Sequence, residues 1–170
     1  MSDVLLLASR LLSREIDGPL YRALLAAPDG DRLLDAQTRA LGEPEALRSL
    51  SVEFCRLFVG PRPACPPYES VHRGEPVVGG RAERRLQDFM ERHRLDAVIP
   101  SGCPVLAYDH LAVSLALLHH LLGVAADGAA RQLLQDHLLA WAPAYFRGLK
   151  AAAVLPPYTL IADLLAEYLA

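Results

Sequence analysis

The sequence lacks several features that would assign it to a functional class at once. Its net charge is only −3 at neutral pH, so it lacks the basic surface with which general nucleic-acid-binding proteins displace counterions from phosphates. No apolar run approaches the ~18 residues of a membrane-spanning helix. We therefore expect no nucleic-acid partner and no membrane insertion.

Cysteines at paired spacing are also missing. The three cysteines, Cys55, Cys65 and Cys103, stand far apart, which is typical of a reducing compartment rather than a disulfide scaffold. The apolar residues 4–12 are interrupted by Arg10, and neither a basic stretch before them nor a small-residue cleavage site after them suggests a secretory signal. These patterns predict a cytoplasmic protein.

Metal-ligand and phosphate-binding motifs are absent as well. The six histidines show no His-Glu-x-x-His spacing, and the adjacent His119 and His120 point to different faces of a helix. Gly79-Gly80 precedes a helix, but no strand comes before it and the lysine of a P-loop is missing. We expect no metal and no cofactor.

What the sequence does contain is helical periodicity. Apolar residues recur at steps of three and four, whereas strand-like alternation is nowhere sustained. A chain of 170 residues suits one domain. We predict an all-α, single-domain bundle of about eight packed helices over residues 1–170, near residues 5–16, 19–25, 31–41, 44–58, 81–94, 108–122, 127–149 and 156–168, with Pro143 bending the seventh.

A proline-rich loop interrupts this helical pattern. Residues 60–76 read "GPRPACPPYESVHRGEP", and a long loop in a small domain is usually functional or disordered. Its prolines predict a stiff segment that carries Tyr68 and Glu69. A plain crossing between helices, with Tyr68 packed inward and Glu69 exposed, is the alternative.

Asp109 and His110 stand together at the start of a predicted helix. Adjacent residues on a helix diverge, so these two cannot form a catalytic relay with each other. The simplest interpretation is that Asp109 caps its own helix. A small helical hydrolase or transferase that uses His110 with Asp109 or Glu69 remains an alternative.

Four segments, taken in order, carry a family resemblance. They read "EFCRLFVGP", "PPYESV", "YDHLAVSLALL" and "HLLAWAPAYFRGL". Their order and spacing resemble the TorD/DmsD family of redox-enzyme maturation chaperones, from about Glu53 to the last helix. The sequence departs from the family pattern at Tyr108, where many members have proline, at Ser114, where glutamate is common, and at Tyr68, where several have tryptophan.

The resemblance implies an all-helical cytoplasmic chaperone without catalytic activity. Such proteins bind the twin-arginine signal peptide, and often the apo form, of a molybdenum-dependent oxidoreductase until the molybdopterin cofactor is inserted. The peptide-binding residues carried over from the family motifs are Tyr68, Glu69, Ser70, Val71, Asp109, His110 and Leu111. A permanent accessory subunit of a reductase complex is a further alternative, and a monomer and a swapped dimer both remain open.

The chemistry of such a peptide agrees with these residues. A twin-arginine signal offers two guanidinium groups followed by an apolar helical segment, so its receptor needs carboxylates beside an apolar groove. We expect Glu69 and Asp109 to supply the carboxylates, and Glu53 less directly. The expected groove is lined by Tyr68, Val71 and Leu111.

Overall fold

The computed structural model describes residues 2–169, except for the side chain of Ser2. These residues form eleven α-helices and two π-helical turns, without an assigned strand. In chain order they are α1 (Ser2–Ser13), α2 (Gly18–Ala26), α3 (Gly30–Leu33), α4 (Ala36–Ala40), α5 (Glu43–Phe54), π1 (Cys55–Val59), α6 (Glu69–His72), α7 (Gly80–Arg92), α8 (Leu111–Gly123), α9 (Asp127–Leu133), π2 (Leu134–Leu138), α10 (Ala142–Ala152) and α11 (Pro156–Tyr168). The predicted all-α fold is confirmed, with more and shorter helices than the eight expected.

The central helix of the fold is α8. Eight of its thirteen residues are buried, as expected for a helix enclosed by others. The first helix, α1, packs along α8, while α10 packs against α11, which also contacts α1 and α3. The helix α8 has only thirteen residues. Within residues 2–169 no helix combines the length and the apolar character needed to cross a membrane.

The surface helix α7 carries a single apolar face. Its buried residues, Ala82, Leu86, Phe89 and Met90, recur at three- and four-residue steps, so the remaining positions face outward. The short helix α6 packs against α7. This contact holds the proline-rich loop against the body of the protein.

One helix is expected over residues 31–41, but the structure has two, α3 and α4. The Asp35 carboxylate lies between them and accepts a hydrogen bond of 2.7 Å from the backbone N–H of Thr38. Aspartate is favoured at an N-cap and disfavoured inside a helix, because its short side chain bonds nearby backbone groups. The prediction of one continuous helix is wrong for this reason.

The helix expected over residues 127–149 is also divided. It consists of α9, the turn π2 and a separate helix α10. Pro143 lies in the first turn of α10, where its missing N–H costs no helical hydrogen bond. Pro143 therefore begins a helix instead of bending one.

Candidate functional site

The seven predicted peptide-binding residues come together where α6 and α8 begin. Tyr68 and His110 form an isolated antiparallel bridge. The N–H of Leu111 donates to the carbonyl oxygen of Pro67 at 2.8 Å, and the N–H of Glu69 donates to the carbonyl oxygen of Asp109 at 3.1 Å. We call residues 68–71 together with residues 109–111 the clasp, because they join the proline-rich loop to the central helix.

Asp109 caps α6 across the clasp. Its Oδ2 accepts a hydrogen bond of 2.9 Å from the backbone N–H of Ser70, whereas its buried Oδ1 has no hydrogen-bond partner among residues 2–169. Burial raises the pKa of Asp109 above its ordinary value; the carboxylates of Glu83 and Glu69 add to this, and hydrogen bonds from Ser70 oppose it. A buried carboxylate with a spare acceptor oxygen is costly unless a donor reaches it.

His110, and not Asp109, caps α8. Nδ1 of His110 accepts a hydrogen bond of 3.1 Å from the N–H of Ala112, so the expectation that Asp109 caps its own helix is wrong. The imidazole lies edge-on to the Tyr68 ring, with 4.8 Å between the ring centroids. Burial lowers the pKa of His110 to about 3. His110 is therefore a neutral capping and packing residue, and a ring nitrogen already bonded to the backbone is a poor general base.

Tyr68 connects the clasp to the segment that precedes α8. Its hydroxyl accepts a hydrogen bond of 3.1 Å from the N–H of Leu106 and lies 3.4 Å from the carbonyl oxygen of Pro104, to which it donates. Tyr68 is only 5% exposed and Leu111 is fully buried, whereas Val71 is 39% exposed. The prediction that Tyr68 and Leu111 line an open groove is therefore wrong.

Glu69 is the charged centre of the clasp. It is 2% exposed, although the alternative interpretation of the loop expects it to be exposed. Its Oε1 accepts hydrogen bonds from Nε of Arg73 and, at 2.9 Å, from the Arg85 guanidinium. Nδ1 of His137 lies 3.7 Å from Oε2, beyond hydrogen-bond distance. Burial alone would raise the pKa of Glu69, but His137, Arg85 and Arg73 together hold it below its ordinary value.

An apolar groove adjoins the clasp, on residues other than those predicted. Its volume is about 580 Å³, and it lies between α1, α8 and the irregular segment 94–105. The apolar side chains that line it include Leu6, Val98, Ile99, Val105, Val113 and Leu117. At its floor the Ser9 hydroxyl donates to the carbonyl oxygen of Ala112 at 2.7 Å. Ala112 and Val113, which line the groove, directly follow Leu111 of the clasp, so groove and clasp share the first turn of α8.

The charges along the groove are mainly positive. Arg10, Arg14 and Arg94 line it together with a single carboxylate, Asp96. The Arg10 guanidinium is 2.9 Å from the Asp17 carboxylate, outside the groove lining. An apolar segment without arginines therefore fits the groove better than a cationic one.

Glu53, the less direct candidate, joins two other parts of the chain. Its carboxylate accepts hydrogen bonds from Arg56 at 2.8 and 2.9 Å and from the backbone N–H of Val154 at 2.7 Å. These contacts fasten π1 to the connection between α10 and α11. Across the described residues, no cluster of three or more His, Cys, Asp or Glu side chains could hold a metal ion.

Comparison with known proteins identifies the family. The family model described as the nitrate reductase delta subunit matches residues 23–147, which is more than half of the chain. The chain belongs to this family.

Curated relatives confirm the resemblance to the TorD/DmsD chaperones, because the relatives matched are chaperones. Chaperone protein TorD of Aeromonas salmonicida (strain A449) is 31% identical over 153 residues, which cover 84% of this chain and 67% of the relative. Chaperone protein TorD of Shewanella sp. (strain MR-4) is 29% identical over 154 residues, covering 79% of this chain and 72% of the relative.

A solved structure supports the fold. The redox enzyme maturation protein from Archaeoglobus fulgidus superposes with a TM-score of 0.61 at 23% identity, covering 99% of this chain and 93% of the other. At that identity the likeness concerns the arrangement of the helices.

Arg73, Arg85 and His137 belong to the site but were not predicted from the sequence. Glu69 and Arg73 stand four residues apart, a spacing that favours a helical ion pair, so this pair could have been found. Arg85 and His137 come from α7 and π2. Their approach to Glu69 depends on how those elements pack, which helical periodicity does not reveal.

Proposed function

We propose that this chain is a cytoplasmic chaperone that binds the twin-arginine signal peptide of a molybdenum-dependent oxidoreductase. It holds the apoenzyme back from export until the molybdopterin cofactor has been inserted. The observation that carries this proposal is that the apolar groove and the clasp, which contains two buried carboxylates, share the first turn of α8. An apolar surface beside carboxylates matches the two parts of such a peptide.

The apolar segment of the signal peptide occupies the groove. A volume of about 580 Å³ falls in the ordinary range for ligand pockets, about 300–1,000 Å³. The arginines that line the groove repel the guanidinium groups of the peptide, so the paired arginines lie outside it. This sets the direction in which the peptide binds.

The paired arginines bind at the clasp. Guanidinium groups donate in a fork geometry that fits carboxylates, and such pairs gain strength where water is partly excluded. Oδ1 of Asp109 is an acceptor without a hydrogen-bond partner in the described part of the chain. Glu69 supplies a second buried carboxylate, and Ser70, His110 and the other clasp residues hold both in position.

Binding of a twin-arginine leader peptide to two variants tests this proposal. Ala116 lies in the groove, partly exposed, so Ala116→Leu should fill it and weaken binding by about tenfold or more, as measured by calorimetry. Ala151→Leu, at an exposed position of α10, is the matched control and should bind like the wild type. A leader whose two arginines are replaced by glutamine should also bind more weakly.

Undiminished affinity of Ala116→Leu would exclude the groove. Equal affinity for the arginine and glutamine peptides would exclude recognition of the paired guanidinium groups. If no leader peptide binds any of these proteins, the proposed function is wrong.

A permanent accessory subunit of a reductase is the second candidate, because the matching family model is described as a reductase subunit. A chaperone should leave its client once the cofactor is inserted, whereas a subunit should stay. Size-exclusion chromatography of the cofactor-loaded enzyme, expressed together with this chain, separates the two: co-elution in a fixed ratio favours the subunit.

A further inference from the structure

The carboxylate that is proposed to bind the arginines of the peptide is already bound by two arginines of the chain itself. Glu69 Oε1 accepts hydrogen bonds from both Arg73 and Arg85. The carboxylate is almost fully buried, whereas the side chains of Arg73 and Arg85 are 34% and 44% exposed. The two arginines therefore lie between Glu69 and solvent.

We propose that Arg73 and Arg85 act as an internal substitute for the paired arginines of the signal peptide, and that peptide binding displaces them. This inference rests on the proposed function. In the free protein Arg73 and Arg85 neutralise Glu69; in the complex the peptide takes over that role. The affinity for the peptide is thus set by the difference between two similar sets of ion pairs.

An exchange is physically more favourable than the uncovering of Glu69. A buried carboxylate stripped of its partners carries a large desolvation penalty, whereas the replacement of one guanidinium by another keeps it paired. Arg73 follows the last residue of the four-residue helix α6, and Arg85 projects from the surface helix α7. Both side chains are already partly exposed, so a change of rotamer can move them further into solvent.

Asp109 makes the exchange favourable for a pair of arginines. Its Oδ1 remains without a donor among the described residues even while Arg73 and Arg85 occupy Glu69. A twin-arginine peptide can therefore replace the contacts at Glu69 and add one at Asp109. A single arginine in another protein cannot do both, so the internal pair raises selectivity as it lowers affinity.

Variants of the two arginines test the exchange. Arg73→Gln and Arg85→Gln should each tighten binding of a fluorescent twin-arginine leader peptide by about fivefold to tenfold, in anisotropy titrations at fixed ionic strength. Arg84→Gln is the matched control, because Arg84 is exposed on the same helix and has no contact with Glu69 within residues 2–169. It removes the same charge and so reports the general electrostatic effect on a cationic peptide.

A second background isolates the contact with Glu69. In Glu69→Gln the further change Arg85→Gln should alter peptide affinity no more than Arg84→Gln does, since the specific effects of Glu69 and Arg85 meet at one carboxylate. If Arg85→Gln proves unstable in thermal melts, Arg85→Lys keeps the charge but loses the fork geometry, and should still tighten binding to a smaller degree.

The outcomes separate this inference from the proposed function. If the wild type binds the leader but Arg73→Gln and Arg85→Gln bind no more tightly than Arg84→Gln, the proposal of an internal substitute is wrong and the proposed function stands. If neither the wild type nor any variant binds the leader, the proposed function fails. If Arg73→Gln and Arg85→Gln bind the leader while the wild type and Arg84→Gln do not, the result would support the exchange strongly.

Discussion

Two buried carboxylates of the clasp differ in what surrounds them. Glu69 has three basic neighbours and a pKa below its ordinary value, whereas Asp109 is desolvated beside other carboxylates and its pKa is raised. Glu69 is thus charged and compensated, while Asp109 keeps an oxygen without a hydrogen-bond partner in the described structure. Asp109 is therefore the carboxylate of the clasp that still needs a hydrogen-bond donor.

The role of Asp109 as the cap of α6 can be measured directly. Asp109→Ala removes the acceptor for the N–H of Ser70 and should lower the free energy of unfolding by about 1–2 kcal/mol. Asp109→Asn keeps an oxygen for that N–H and removes a desolvated charge, so it should stay within about 0.5 kcal/mol of the wild type. Urea denaturation at neutral pH gives both values.

Equal losses of unfolding free energy in the two variants would show that the charge of Asp109, and not its hydrogen bond with the N–H of Ser70, stabilises the fold. A stable Asp109→Ala variant would mean that the N–H of Ser70 does not depend on Asp109.

At this scale the sequence predicts which residues gather but not their individual partners. The segments "PPYESV" and "DHL" do meet in the structure. Their meeting could be predicted because motifs shared with a family indicate a shared fold. Which side chain caps which helix depends on distances of a few tenths of an ångström across the clasp. Residue spacing alone therefore could not predict that Asp109 caps α6 and that His110 caps α8.

At the scale of elements, the segment before α8 links the clasp to the groove. Tyr68 bonds the backbone at Pro104 and Leu106, while Cys103 and Val105 line the groove. A peptide in the groove must therefore touch a segment that the clasp holds in place. The π-helical turns and the divided helices were not predicted, because apolar residues keep nearly the same spacing through a local change of helix type.

Cys103 is a natural reporter for occupancy of the groove. A saturating leader peptide, at about ten times its dissociation constant, should slow the reaction of Cys103 with a maleimide by about tenfold, because bound peptide covers the thiol. Cys55 lies outside the groove and is the internal control. Cys65 is buried, and burial raises its pKa to about 11, so it should stay unmodified in the folded protein.

Mass spectrometry of the digested, labelled protein gives the three rates separately. Unchanged labelling of Cys103 at saturation would place the peptide elsewhere. Equal slowing at Cys55 would point to a general change in the protein instead of a covered groove.

At the scale of the whole molecule, the groove arises from contacts between distant parts of the chain. It needs α1, α8 and residues 94–105 at once, and the sequence gives no measure of how closely two helices approach. The fold class followed from periodicity alone, since helices with apolar faces must pack on one another. The position of the groove did not follow from periodicity, which explains why the predicted groove included Tyr68 and Leu111, two residues that are buried.

We expect the acid stability of the whole protein to depend on one buried histidine, His110. His110 has an ordinary pKa of 6.5, which burial lowers to about 3. Between these values the unfolded chain binds a proton that the folded chain does not, so stability falls as the pH drops below 6.5. Burial also lowers the pKa of His72, which acts in the same direction, whereas the raised pKa of Asp109 favours the folded state on acidification.

Replacement of His110 by asparagine should reduce this acid sensitivity. Asparagine is a good N-cap and does not titrate, so His110→Asn should lose about 2 kcal/mol less stability than the wild type between pH 7 and pH 5. His120→Asn, at an exposed position of the same helix, should keep the pH dependence of the wild type. Urea denaturation of the three proteins at both pH values gives the difference, and parallel losses in all of them would mean that His110 is not kept neutral by the fold.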